Sequence, residues 1–182
     1  MIVAHLGSGA SLCALKGRKS VDSTLGFTAL DGLCMGTRPG SVGPGVILHL
    51  FQTLKLGAAG VEKMLYKQSG LLGISGLTND MRDLLEEENE HQDRRAHLAI
   101  EIFCLRVKKY LGSYLARMNG AGAVVFTGGI GENSAEIRGR ICADLDFFGI
   151  VPDAPRNAAL FGGKEGEFGA EGSRVRLFVI PT

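Results

Sequence analysis

Two short apolar runs in this sequence each end in a glycine-rich turn, and this repeated arrangement constrains the fold more than any other feature. The first run, 2–6, leads into Gly7-Ser8-Gly9, and the second, 123–126, leads into Thr-Gly-Gly-Ile-Gly-Glu-Asn at 127–133. Short apolar runs that stop at glycine are typical of buried β-strands. Because a helical pattern follows at 134–145, the second run predicts a strand, a glycine turn and a helix in succession.

The remaining apolar patterns predict further strands and helices, which together define the fold class. Alternating or compact apolar runs predict strands at 11–15, 20–24 and 174–180. Apolar residues that recur every three or four positions predict helices at 46–54, 61–68, 81–88 and 96–118. Glycine-rich stretches without a period predict a long loop at 26–45 and a flexible segment at 153–172. We therefore predict an α/β fold in which helices pack on one mixed, twisted sheet.

The composition predicts a single globular domain and argues against two classes of partner. A chain of 182 residues can bury a substantial core as one domain. Because 20 basic and 19 acidic residues give a formal charge of +1, there is no large electrostatic field to attract nucleic acid or an anionic membrane. We therefore expect neither partner.

The cysteines and the first residues predict a cytoplasmic protein. Cys13, Cys34, Cys104 and Cys142 are widely separated, and no histidine lies at zinc-ligand spacing from them, so we expect buried, reduced thiols. The chain does not open with a basic segment followed by a long apolar stretch, and no later apolar run approaches the length of a membrane-spanning helix.

The two glycine turns are candidates for binding phosphate. Glycine lets backbone N–H groups come close to phosphate oxygens. A single glycine after a strand is more often just a tight turn, but two such turns, each with a polar residue in it, favour a phosphate site. The dinucleotide fingerprint does not fit, because Ser134 stands where its third glycine belongs, and the lysine motif of the P-loop is absent.

Two other places carry side chains that suit phosphate chemistry. Arg38 lies between glycines and before Pro39, which favours an extended backbone and suits bidentate binding of a phosphoryl group or carboxylate; an ordinary exposed arginine is an equally good interpretation. Asn79 or Asp80 can cap the helix predicted at 81–88. His5, at a strand end, could contact a phosphate, although an isolated histidine is usually structural.

Four segments, in order, resemble the acetate kinase family of acyl kinases. They are AHLGSGAS at 4–11, SVDSTLGFTALDGLCMGTRPG at 20–40, SGLLGISGLTNDMRD at 69–83 and VVFTGGIGENSAEIR at 124–138. The family is similar in fold to actin, sugar kinases and heat-shock chaperone ATPases, which have two ribonuclease H-like domains around a nucleotide cleft. The resemblance implies that 1–182 form the carboxy-terminal, nucleotide-binding domain of such an enzyme, with the amino-terminal domain and the final helix absent.

The resemblance also implies a role for individual residues. Arg38 matches the arginine that stabilises the transferred phosphoryl group in the transition state. The residues matched to nucleotide contacts form three short segments: His5, Leu6, Gly7, Ser8 and Gly9; Asp80, Met81 and Arg82; and Gly129, Ile130, Gly131, Glu132 and Asn133.

The implied reaction is reversible phosphoryl transfer between ATP and acetate, which gives ADP and acetyl phosphate through a metaphosphate-like state with Mg²⁺ present. The family's magnesium-associated glutamate would lie beyond Thr182, so no metal ligand is expected in this chain, and we expect the chain to be inactive alone. A homodimer is the expected assembly.

Two positions depart from the family pattern, and other functions remain open. Ser8 stands where asparagine is usual, and Gly43 where aspartate is common. The alternatives are a kinase for propionate or another short-chain acid, a small kinase completed by a partner chain, and a noncatalytic dimerisation module.

Overall fold

The computed structural model of the protein describes residues 1–182, which divide into two compact units. One unit comprises Met1–Thr24 and Cys104–Thr182, and the other comprises Leu25–Phe103. The division falls within a single long helix. The domain assignment made from the sequence stays a prediction.

The first unit is built on one six-stranded sheet. Its strands are β1 (Ile2–Leu6), β2 (Ala10–Lys16), β3 (Lys19–Ser23), β4 (Ala123–Thr127), β5 (Gly166–Glu167) and β6 (Arg176–Val179), in the spatial order β3-β2-β1-β4-β6-β5. The first three strands form an antiparallel meander, while β1, β4 and β6 run parallel to one another and β5 pairs antiparallel with β6. The sheet is therefore mixed, as predicted.

The central strands are buried because their side chains are apolar. In β1, alternate residues Ile2, Ala4 and Leu6 are fully buried, and in β4 the consecutive residues 124–126 are all buried. A strand whose neighbouring side chains are all buried has both faces covered, which is typical of parallel strands inside an α/β fold. The compact apolar run at 123–126 thus has the placement that its composition favours.

Helices occupy most of the remaining chain, and the α/β class is confirmed. The second unit contains α1 (Pro44–Gln52), α2 (Ala58–Lys67), α3 (Gly70–Ser75) and α4 (Met81–His91), and α5 (Arg94–Met118) continues into the first unit. The first unit adds α6 (Gly128–Asn133), α7 (Ala135–Cys142), a short 3₁₀ helix at Asp146–Phe148, and α8 (Ala154–Ala159). None of these helices is both long enough and apolar enough to cross a bilayer.

Three local predictions were wrong, and one helix was missed. The stretch 128–133 is a short helix rather than an open turn, and α3 had no counterpart in the sequence analysis. The segment 153–172, expected to be flexible, contains α8 and β5, and Pro152 bridges to Gly169. Its structure comes from pairing with β6 and from side-chain contacts with α7, which local composition does not reveal. The expectation of buried thiols was wrong for Cys13, which is only half-buried, and right for Cys34, Cys104 and Cys142.

Candidate functional site

The structure places the two glycine turns side by side. Strands β1 and β4 are parallel neighbours, paired from Ile2 with Val124 to His5 with Thr127, so both chains leave the sheet at the same edge. A Cβ atom added to Gly7 would lie 3.8 Å from the backbone nitrogen of Gly129. Two segments about 120 positions apart in the sequence thus lie side by side, as a shared phosphate site requires.

Glycine is required at 128 but not at 129. Gly128 has a positive φ of 79°, and an added Cβ would lie 2.8 Å from the carbonyl oxygen of Leu6, closer than any ordinary contact. A side chain there would strain the backbone and push the two turns apart. Gly129, in contrast, is exposed and has nothing within 4 Å of an added Cβ. Gly128 therefore holds the turns together, while Gly129 presents open backbone.

The turn between β1 and β2 is tight and partly open to solvent. The N–H of Gly7 donates to the carbonyl oxygen of Gly9 at 3.0 Å. His5 and Ser8 are exposed, whereas the side chain of Leu6 is fully buried in the core. Leu6 can therefore meet a ligand only through its backbone, while the Ser8 hydroxyl and the His5 ring are free to approach one.

The carboxylate of Glu132 is used inside the protein. Its Oε1 accepts hydrogen bonds from the N–H of Gly128 at 2.8 Å, and from the N–H and hydroxyl of Thr182 at 3.0 and 2.9 Å. Burial favours the neutral acid, but these donors outweigh that effect, and the pKa of Glu132 is lower than its usual 4.5. Glu132 therefore fastens α6 to the segment that follows β6.

Asn133 is also held within the first unit. Its Nδ2 donates to the carbonyl oxygen of Gly129 at 3.0 Å, and its Oδ1 accepts from the N–H of Gly162 at 2.9 Å. The side-chain amide of Asn133 thus connects α6 to the loop after α8. The sequence matched Asn133 to a nucleotide contact, and the structure adds this internal role.

The sequence analysis missed Arg138. This arginine of α7 is fully buried, and its Nη1 donates to the carbonyl oxygens of Gly131 and Glu132, each at 2.9 Å. A signal was available in the sequence, because Arg138 lies on the face of the helix that also carries Ile137 and Ile141. A long cation on an apolar helical face must find partners when it is buried.

Arg38, in the second unit, lies in a loop that is fixed by backbone bonds. The N–H groups of Leu71 and Leu72, at the start of α3, donate to the carbonyl oxygens of Met35 and Gly36 at 2.9 and 3.0 Å. Gly70 makes this possible, because its φ is 63° and an added Cβ would lie 2.1 Å from the Met35 oxygen. The guanidinium Nη1 of Arg38 donates to the Ala29 oxygen at 2.7 Å, which leaves further N–H groups for a ligand.

Asp80 caps α4, which is the simpler of the two roles considered for it. Its Oδ1 accepts from the N–H of Arg82 at 2.9 Å, and its Oδ2 accepts from the Arg82 guanidinium at 2.6 Å. The side-chain hydrogen bond from Arg82 lowers the pKa of Asp80. Met81 is buried and Arg82 is exposed, so Arg82 is the side chain of this segment that can reach a ligand.

Comparison with known proteins gives one consistent result. A model of the Acetokinase family matches residues 1–182. The acetate kinase of Chloroherpeton thalassium is 50% identical over 100% of this chain, which covers 44% of that relative. The crystal structure of Porphyromonas gingivalis acetate kinase matches with a TM-score of 0.95 at 43% sequence identity. That of a propionate kinase from Francisella tularensis matches with a TM-score of 0.89 at 42% sequence identity. Each match covers 100% of this chain and 45% of the other.

The fold is of the actin-like ATPase type, as predicted, and it is shared with the acetate and propionate kinases that match. The chain belongs to the acetokinase family. It spans less than half the length of the curated relatives that it matches.

The hydrogen bonds of Glu132 predict a pH-dependent contribution to stability. Because the pKa of Glu132 is lower in the folded chain, its carboxylate stabilises the fold at neutral pH, and this contribution is lost as the pH falls below 4.5. Urea unfolding should find Glu132→Gln less stable than the wild type at pH 7, with the difference shrinking as the solution is acidified. An equal difference at pH 7 and in acid would contradict this account.

Proposed function

We propose that residues 1–182 are the nucleotide-binding, carboxy-terminal domain of an acetate kinase, which transfers a phosphoryl group between ATP and acetate. The observation that carries the proposal is the close approach of the two glycine turns at the ends of β1 and β4, with Gly7 beside Gly129. Because the relatives are more than twice as long, the activity is proposed for a protein in which these residues act together with further chain.

The turns supply the surface on which the phosphates of ATP or ADP would lie. Neither Gly7 nor Gly129 carries a side chain that would keep phosphate oxygens away from the backbone. The exposed Ser8 hydroxyl adds one hydrogen-bond donor beside them. Glu132 and Asn133 support this surface from within, since their polar atoms are engaged with the protein. Arg82 is proposed as a further nucleotide contact from the second unit, on the strength of the family resemblance.

Arg38 is proposed to stabilise the phosphoryl group during transfer. Negative charge spreads over the phosphoryl oxygens in the transition state, and a planar guanidinium can meet two of them at once. The hydrogen bond to Ala29 and the backbone bonds of the loop keep the side chain in one orientation before substrate arrives, which is the condition for effective electrostatic stabilisation.

Mg²⁺ would accompany ATP in the reaction. No group of three or more histidine, cysteine, aspartate or glutamate side chains in 1–182 is arranged to hold a metal ion. Mg²⁺ that accompanies a nucleotide is usually bound by phosphate oxygens, water and one or two carboxylates, and the role proposed for this chain is limited to its contacts with nucleotide and phosphoryl group.

Acetate is the proposed acid because the curated relatives are acetate kinases. Propionate is the alternative, since a propionate kinase matches this chain nearly as well in structure. The two acids differ by one methylene, which is worth about 1–3 kcal/mol in an apolar pocket.

Nucleotide binding is tested by titrating ADP into the chain in a calorimeter. We expect measurable binding by the wild type and at least about tenfold weaker binding by Gly129→Ala, because the added methyl group occupies the proposed phosphate surface. Gly112→Ala is the matched control, since its Cβ also meets nothing within 4 Å but lies in α5. Absence of binding by the wild type, or equal affinity of the two variants, would contradict the proposal.

The role of Arg38 is tested by activity. We would mix the chain with the amino-terminal half of an acetate kinase and assay acetyl phosphate as its hydroxamate. Arg38→Ala should lower turnover by about 10²–10³-fold, with ADP affinity nearly unchanged. Arg18→Gly, which removes an exposed arginine between β2 and β3, should keep full turnover. An equal loss of turnover and ADP affinity would mean that Arg38 binds nucleotide instead.

A second copy of the chain is the proposed protein partner, and α1 is the proposed contact. Val46, Leu48, Phe51 and Leu54 lie in and just after this helix, and each is between 41% and 55% exposed. No formally charged residue occurs from 42 to 54. A two-fold axis places a surface against itself, and an uncharged apolar surface can pair in this way without repulsion between like charges.

Sedimentation over a concentration series tests this assembly. The wild type should form a dimer, and Leu48→Glu should shift it to monomer because two buried charges would face each other. Leu105→Glu is the control, since Leu105 is 63% exposed on α5. A wild type that stays monomeric, or a dimer lost only in the control, would refute the proposed contact and the noncatalytic dimerisation function that depends on it.

A further inference from the structure

The buried guanidinium of Arg138 has an unusual set of partners. Arginine carries five N–H groups, and here all five donate to neutral acceptors. Two bind the carbonyl oxygens of Gly131 and Glu132, as described above. The other three bind Oδ1 of Asn157 at 2.7 Å, the carbonyl oxygen of Asn157 at 2.8 Å and that of Leu160 at 2.8 Å.

No anionic side chain balances this charge by direct contact. The two nearest preceding carboxylates along the chain are engaged elsewhere: Glu136 pairs with Arg140, and Glu132 directs its Oε1 to Thr182 and Gly128. Cys142 faces the guanidinium, but burial raises the pKa of its thiol to about 12, so it is neutral at pH 7. Burial lowers the pKa of Arg138 to about 10, which still leaves it a cation. A buried charge without an ionic partner is costly and therefore rare.

The same guanidinium determines where α6 lies. This helix has six residues, too few to be stable without tertiary contacts. Arg138 holds the carbonyl oxygens at its carboxyl end and joins them to the end of α8. Asn157 completes the connection, because its Nδ2 donates to the carbonyl oxygen of Ala135 at 2.7 Å. The Arg138 side chain therefore holds α6 in place.

We propose that Arg138 is a positioning residue that both braces α6 and places an unpaired positive charge beneath the glycine turns, which strengthens their binding of a nucleoside diphosphate. This inference rests on the proposed function, because it names what attracts the phosphates to that site. The Arg138 side chain is fully buried and therefore acts without touching the nucleotide. Its charge acts through a short path of protein, where electrostatic interactions are weakened less than in water.

The charge is tested at Asn157, without altering the arginine. Asn157→Asp places a carboxylate against Nε of Arg138 and neutralises the cation, whereas Asn157→Ala removes the same amide without adding charge. We expect the aspartate variant to bind ADP about tenfold more weakly than the alanine variant. Binding of adenosine, which has no phosphates, should be the same in both. Equal ADP affinities in the two variants would overturn the role of the charge.

The brace is tested by Arg138→Lys and amide hydrogen exchange without nucleotide. Lysine keeps the charge but has three donors for five acceptors, so the amides of 129–133 should exchange at least about tenfold faster, while those of β2 should not change. Wild-type exchange at 129–133 in this variant would overturn the brace. A wild type that binds no ADP would refute the proposed function and with it the role of the charge, whereas the exchange measurement would still decide whether Arg138 positions α6.

Discussion

The parallel pairing of β1 with β4 is the constraint on which the candidate site depends. It brings together two turns that the chain makes about 120 residues apart, and it does so at the edge of the sheet where both strands end. The contact between the turns is so close that Gly128 has room for no side chain. The strand pairing, the backbone geometry of the turns and the glycine at 128 therefore depend on one another. A change in any of them would separate the two turns that form the proposed phosphate surface.

Charged side chains hold this arrangement at its two ends, and they do so with backbone groups as partners. Glu132 accepts from the first N–H of α6, and Arg138 donates to its last carbonyl oxygens. Neither charge is balanced by direct contact with an opposite one. These contacts therefore stabilise the position of a six-residue helix, which is too short to be stable through its own hydrogen bonds. Such a site is largely formed before any ligand binds.

The sequence predicted the elements whose signal is local. The apolar alternation of β1, the compact run of β4 and the periodic pattern of α5 each depend on neighbouring residues, and all three were found close to their observed bounds. The segments that were missed, α3, α6, α8 and β5, are short, and each is formed through contacts with distant parts of the chain. Arg138 was missed for the same reason, since its five acceptors come from two other segments. The family resemblance supplied roles for Arg38 and Arg82 that composition alone left undecided.

The loop around Arg38 shows how a long irregular segment can keep one side chain in place. The carbonyl oxygens of Met35 and Gly36 accept from the N–H groups of Leu71 and Leu72, so the loop is held against the start of α3. These contacts with α3 are between main-chain atoms, and Gly32, Gly40 and Gly70 are constrained by a positive φ. Other residues of the loop could therefore be exchanged during evolution or design while the arginine stays where it is.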